Sequence, residues 1–96
     1  MAQVILSPAA LNDLQAIFDY IAKDSELYAA KVVDKILHRI TVLETHIRVG
    51  KIVSEFQTEA IREIPEGNYR IIYRIENETE ISVARIYHRA RLLKEL

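Results

Sequence analysis

The stretch Gly67-Asn68-Tyr69-Arg70-Ile71-Ile72-Tyr73-Arg74-Ile75, then Glu76-Asn77-Glu78-Thr79-Glu80, then Ile81-Ser82-Val83-Ala84-Arg85-Ile86-Tyr87-His88-Arg89-Ala90-Arg91-Leu92-Leu93, decides the fold. Two runs rich in β-branched and aromatic residues flank a short polar break, the pattern of a β-hairpin. With Asn77, Glu78 and Thr79 as a three-residue loop, period-two alternation puts Tyr69, Ile71, Tyr73 and Ile75 on one face with Ile81, Val83 and Tyr87. Arg85 is an exception on that apolar face. Arg70, Ile72, Arg74, Ser82, Ala84, Ile86 and His88 occupy the other face, which is half polar and basic. A two-residue loop would shift the register by one and mix the faces, so burial favours three. A sheet face bearing arginines suggests a binding surface.

Immediately upstream, Ile61-Arg62-Glu63-Ile64 alternates and stops at the turn signal Pro65-Glu66-Gly67, which predicts a strand paired with residues 69–76. Residues 50–60 have no clear period and read as a loop with room for a short strand or turn. Farther upstream the period becomes helical. Ala29, Val32, Val33, Ile36, Leu37, Ile40, Leu43 and Ile47 form one stripe, opened by Ser25-Glu26 as a cap and stopped at Gly50. A first helix runs from Pro8 to about Lys23, capped by Ser7, with Leu11, Leu14, Ile17, Phe18 and Ile21 on its buried stripe. Asn12, Asp13, Gln15 and Asp19 are expected to face outward. Residues 2–6 read as an edge strand. The predicted class is α+β, in the order β-α-α-β-β-β, with a helical hairpin packed on one face of an antiparallel sheet.

The 96 residues suffice for a single domain spanning 1–96 with one modest core. A formal charge of -1 argues against a nucleic-acid footprint over the whole surface, so any basic character must be local. The absence of cysteine excludes a disulfide framework and a thiolate zinc site. Neither a secretory signal nor a membrane span is visible, so a cytoplasmic protein without membrane partners is expected. Asn77-Glu78-Thr79 matches a glycosylation sequon and reads as a turn in that setting.

No glycine-rich phosphate loop, metal-ligand cluster or serine-nucleophile signature is present, and neither a metal nor a cofactor is expected. His38 and His46 lie eight residues apart, off the spacing of paired helical ligands, and read as surface or helix-end groups. Arg70, Arg74, Arg85, Arg89 and Arg91 are five of the eight arginines. Their planar forks suit carboxylate or phosphate. Pairing across the sheet with Glu63, Glu66, Glu76, Glu78 and Glu80 explains the same residues without a ligand, so both readings stand at this point.

Val4-Ile5-Leu6-Ser7-Pro8-Ala9-Ala10, Asp19-Tyr20-Ile21-Ala22, the Tyr69–Ile75 strand and Tyr87-His88-Arg89-Ala90-Arg91 resemble, in order and spacing, the ParE branch of the RelE/ParE toxin superfamily. These segments span nearly the whole chain. The superfamily comprises toxins of bacterial type II toxin–antitoxin modules, which serve plasmid stabilization among other roles. The resemblance implies a toxin that inhibits DNA gyrase, trapping it on cleaved DNA, and that a cognate antitoxin, ParD-like or another small protein, neutralises. Arg70, Arg74, Arg85, His88, Arg89 and Arg91 are then the expected target or antitoxin contacts. The alternative within the superfamily is a RelE-like ribosome-dependent mRNA endoribonuclease, with Arg70, Arg89 and Arg91 around the scissile phosphate and His88 carrying the proton. RelE-like members place lysines on the strand before the Tyr-Arg strand and an aromatic residue near the C-terminus. Here Ile61-Arg62-Glu63-Ile64 offers one arginine beside a glutamate, and the chain ends Leu92-Leu93-Lys94-Glu95-Leu96.

Overall fold

The computed structural model describes residues 1–90. Strand β1 (Gln3–Leu6) leads into helix α1 (Pro8–Ala22), helix α2 (Glu26–Ile40) and a turn of 3-10 helix (Thr41–Glu44). Strands β2 (Lys51–Ile52), β3 (Ile61–Glu66), β4 (Tyr69–Asn77) and β5 (Glu80–His88) follow. They form a five-stranded sheet in the order β1-β5-β4-β3-β2. The expected antiparallel pairing holds from β2 to β5, and β1 adds in parallel along β5 from Glu80 to Val83. The sheet is therefore mixed.

Both helix starts follow from their caps. The Ser7 hydroxyl accepts the Ala10 amide at 3.0 Å and that of Ser25 accepts Tyr28 at 3.1 Å, each filling one of the unmatched donors of a first turn. α2 ends at Ile40, short of the stop expected at Gly50, because the backbone tightens into the 3-10 turn, where the Thr41 hydroxyl donates to the His38 carbonyl at 2.6 Å. Leu43 stays fully buried, so the stripe outlives the α-helix. Gly50 serves packing. A Cβ there would stand 2.6 Å from the Glu63 carbonyl oxygen and 2.8 Å from the Tyr73 ring.

The helical hairpin covers one sheet face, burying Leu14, Ile36, Ile40 and Leu43 against Ile71, Tyr73, Ile81 and Val83. Ile17 and Val32 are partly buried against this core. Leu11 and Leu37, assigned to the stripe on spacing, lie on the outer rim and are 54% and 40% exposed. The opposite face has a cover that the sequence reading did not anticipate. The segment after β2 folds back, so that Val53 and Phe56 pack on Ile61, Ile72 and Tyr87 as a second small core.

Two irregularities in the β4–β5 ladder correct the expected register. Asn77 pairs with Glu80, so Glu78-Thr79 is a two-residue turn, with the Asn77 side-chain oxygen accepting the Thr79 amide and hydroxyl, each at 2.9 Å. A register shift between Ile75 and Asn77 restores the Ile75–Ile81 and Tyr73–Val83 pairs that a three-residue loop would have set. The second shift, at Ala84, was not foreseen. Beyond it the faces exchange: Ile86 and His88 pair with Ile71 and Tyr69, and Arg85 and Tyr87 with Ile72 and Arg70. Tyr87 thus leaves the helix-covered face, Ile86 joins it, and Arg85 is no exception to the pattern. The bulged Ala84 carbonyl accepts the Ser7 hydroxyl at 2.8 Å.

Candidate functional site

The bulge places the expected site residues on different surfaces. Arg70 lies on β4 under the folded-back segment and is 9% exposed. Its Nε and Nη2 donate to Glu63 at 2.8 and 2.9 Å, and Nη1 and Nη2 donate to Glu55 at 3.0 Å each. Two forked contacts engage one guanidinium. The bonds to Glu63, then those to Glu55, outweigh burial and hold Arg70 protonated well above the usual arginine range. Carboxylates flank this guanidinium on both sides, so the face read as an exposed basic surface is closed and charge-compensated at Arg70. Glu63 was among the cross-strand partners weighed from sequence; Glu55, in the aperiodic segment, was not.

Arg85 is also engaged. Its Nε and Nη2 donate to Asp13 at 2.8 and 2.9 Å, its guanidinium lies 4.4 Å from the Tyr87 ring centre, and the pairing raises its pKa. Asp13 also accepts the Ile86 amide at 2.9 Å, which satisfies the edge of β5 beyond the reach of β1. Asp13 therefore faces the sheet, and the outward orientation expected for it is corrected.

Arg74, His88 and Arg89 are the exposed members. His88 sits on the helix side of the sheet, its ring edge-on to Tyr69 with centroids 5.9 Å apart, and its Nδ1 accepts the Ala90 amide at 3.3 Å. The Arg89 amide donates to the Asn68 carbonyl at 2.7 Å, tying the end of β5 to the β3–β4 turn. Arg91 lies outside the described residues. Arg70 and His88 project from opposite faces of the sheet. Among the described residues no group of three His, Cys, Asp or Glu side chains could hold a metal ion. No described helix is long and apolar enough to cross a membrane.

A surface missed by the sequence reading surrounds Tyr69. Tyr20 and Tyr28, 74% and 59% exposed, stand at the tip of the helical hairpin near it. Burial first, and then these two phenols, raises the Tyr69 pKa. Between α2 and the β3–β4 turn opens a cleft of about 180 Å³, with Tyr28 and Tyr69 in its walls and Val32 and Ile36 among its lining. A second depression, of about 300 Å³, lies between α1 and the end of β5 and includes Tyr20, Tyr69 and His88. The legible signal was the basic spacing Lys31, Lys35, Arg39 along one side of α2.

Solved structures share this architecture. The toxin–antitoxin system ParDE of P. aeruginosa matches with a TM-score of 0.74 and 22% identity over 92% of this chain and 96% of that one. The RelBE2 toxin–antitoxin complex of Mycobacterium tuberculosis matches at 0.59 and 26% identity, over 92% and 98%. The YoeB–YefM complex of Staphylococcus aureus matches at 0.57 and 15% identity, over 92% and 97%. No curated protein matches by sequence. The family model for the ParE toxin of the type II toxin–antitoxin system parDE matches residues 4–93. That match takes in both helices and every strand but the first residue of β1, and the chain belongs to the ParE toxin family.

Proposed function

We propose that this ParE-family toxin acts as a non-catalytic inhibitor of DNA gyrase, as a single domain over residues 1–96 in the cytoplasm, and is neutralised by a ParD-like antitoxin. The observation that carries the reading is the separation of the candidate catalytic groups. Arg70 is compensated by Glu55 and Glu63 on one face, while His88 lies against Tyr69 on the other. A phosphoryl-transfer site needs its cations and its proton carrier around one scissile bond. A binding surface has no such requirement and distributes its energy over several contacts. In this reading Arg74, His88 and Arg89 contact the target, with Arg91 beside them in sequence, whereas Arg70 and Arg85 hold the fold. Family membership and the toxin–antitoxin complexes among the structural neighbours support the antitoxin partner.

Purified toxin added to gyrase and supercoiled plasmid is expected to accumulate linear DNA, and His88→Ala to retain that activity within a few-fold. Replacing Arg74 and Arg89 should weaken it in graded steps. The similarity to RelBE2 favours ribosome-dependent mRNA cleavage as the second reading. Loss of ribosome-dependent cleavage in His88→Ala, with gyrase untouched by the wild type, would establish that reading in place of the first.

A further inference from the structure

We infer that residues 53–59 form a strap that lifts off the sheet while the rest of the domain stays folded, with the Glu55–Arg70 ion pair as its catch. Opening removes the cover from Ile72 and Tyr87 and releases one of the two forked contacts of Arg70, which gives the toxin a surface that the closed form hides. The inference does not depend on which enzyme the toxin inhibits. Three observations converge on it.

The first is the size of the anchor. Among the described residues the strap contributes Val53 and Phe56 to the second core, whose other members Ile61, Ile72 and Tyr87 belong to β3, β4 and β5. The core under the helical hairpin is far larger and draws on both helices and four strands. Local stability follows the apolar surface that a segment buries, so the strap lets go before the hairpin does. The second is the backbone. β2, which leads into the strap, pairs with β3 over Lys51 and Ile52 alone. The amides of Phe56 and Gln57 donate to the Val53 carbonyl at 3.1 and 3.0 Å, so the strap satisfies them within itself and not through the sheet. Gln57 is held at a φ of 50°, in the left-handed region that favours glycine, and opening relieves that strain. The third is the division of the carboxylates. Glu63 grips Arg70 from the neighbouring strand β3, whereas Glu55 reaches it from the strap. When Glu55 leaves, the guanidinium keeps its forked contact with Glu63, and opening strands no buried cation.

The test uses the absence of cysteine, which makes a single introduced thiol a clean reporter of exposure. Ile71 and Ile72 are adjacent on β4 and fully buried, the first under the helical hairpin and the second under the strap. In native buffer the thiol of Ile72→Cys should react with an aromatic disulfide reagent about tenfold or more faster than that of Ile71→Cys, because global unfolding exposes both and strap opening only the former. Glu55→Gln should speed the Ile72→Cys reaction several-fold. Ile36→Val weakens a core that the open form retains, so it should speed the reaction of Ile71→Cys and leave that of Ile72→Cys unchanged. In the unsubstituted chain, the Val53 amide, bonded to the Ile61 carbonyl, should exchange with solvent faster than the amides of β4. Equal reaction of the two thiols, indifference of Ile72→Cys to Glu55→Gln, its acceleration by Ile36→Val, or a Val53 amide as slow as those of β4 would each overturn the inference.

Discussion

Arg70→Met is the most informative single change, because the sequence marks Arg70 as a contact residue and the structure makes it an internal brace. The substitution keeps most of the side-chain volume but removes both forked contacts, depriving Glu55 and Glu63 of the guanidinium they share. Removing one partner of a buried pair costs about 3 to 5 kcal/mol, mostly through the stranded charge. The side chains of Arg70, Glu63 and Glu55 are 11%, 10% and 16% exposed, so the solvent reaching Glu55 places the expected loss near the lower end, about 3 kcal/mol. For a chain of this size that corresponds to a melting temperature lower by roughly 12 to 24 °C. Urea denaturation with a parallel thermal scan measures both. Adding Glu55→Gln and Glu63→Leu to Arg70→Met should recover all but about 1 to 2 kcal/mol, since apolar or neutral groups in place of a whole ion cluster cost far less than a broken one. A loss below about 1 kcal/mol for the single change, or a triple variant no better than the single, would refute the brace.

Gly50→Ala should destabilise by about 1 to 3 kcal/mol in urea melts, because its Cβ would meet the Glu63 carbonyl and the Tyr73 ring, neither free to retreat. Ile36→Ala or Leu43→Ala should cost about 2 to 5 kcal/mol, since both are fully buried beneath the hairpin; an unchanged denaturation midpoint would contradict their place in the core. The Tyr73 hydroxyl donates to the Ile47 carbonyl at 2.8 Å and accepts the Gly50 amide at 3.0 Å, and burial raises its pKa above the ordinary 10.0. A folded-state pKa above the unfolded one means that stability is fully present below pH 10.0 and falls as pH climbs through the raised value; melting temperatures taken across that range should show the fall, reduced in Tyr73→Phe.

How much was legible in the sequence follows the range of the physics. Helix starts, the hairpin and the apolar stripe rest on contacts between residues a few positions apart, so Ser7-Pro8, Ser25-Glu26, the Leu14 and Ile36 periodicities and the Tyr69–Ile75 alternation are readable from spacing alone. The toxin family was equally readable, because its marks are strung along the chain in fixed order. Tertiary structure decided the rest. Ala84 has no local property that announces a bulge; that position depends on β5 meeting β4, Ser7 and Asp13 at once, and it determines which face carries Tyr87, Ile86 and His88. The fates of the arginines depend on partners far away in sequence: Arg85 finds Asp13 across almost the whole chain, and Arg70 finds Glu55 only because an aperiodic segment folds over the sheet. Composition fixes how many charges the chain carries, but whether a charge meets solvent or a buried counter-ion depends on long-range geometry, and that difference separates the braces Arg70 and Arg85 from the exposed Arg74 and Arg89.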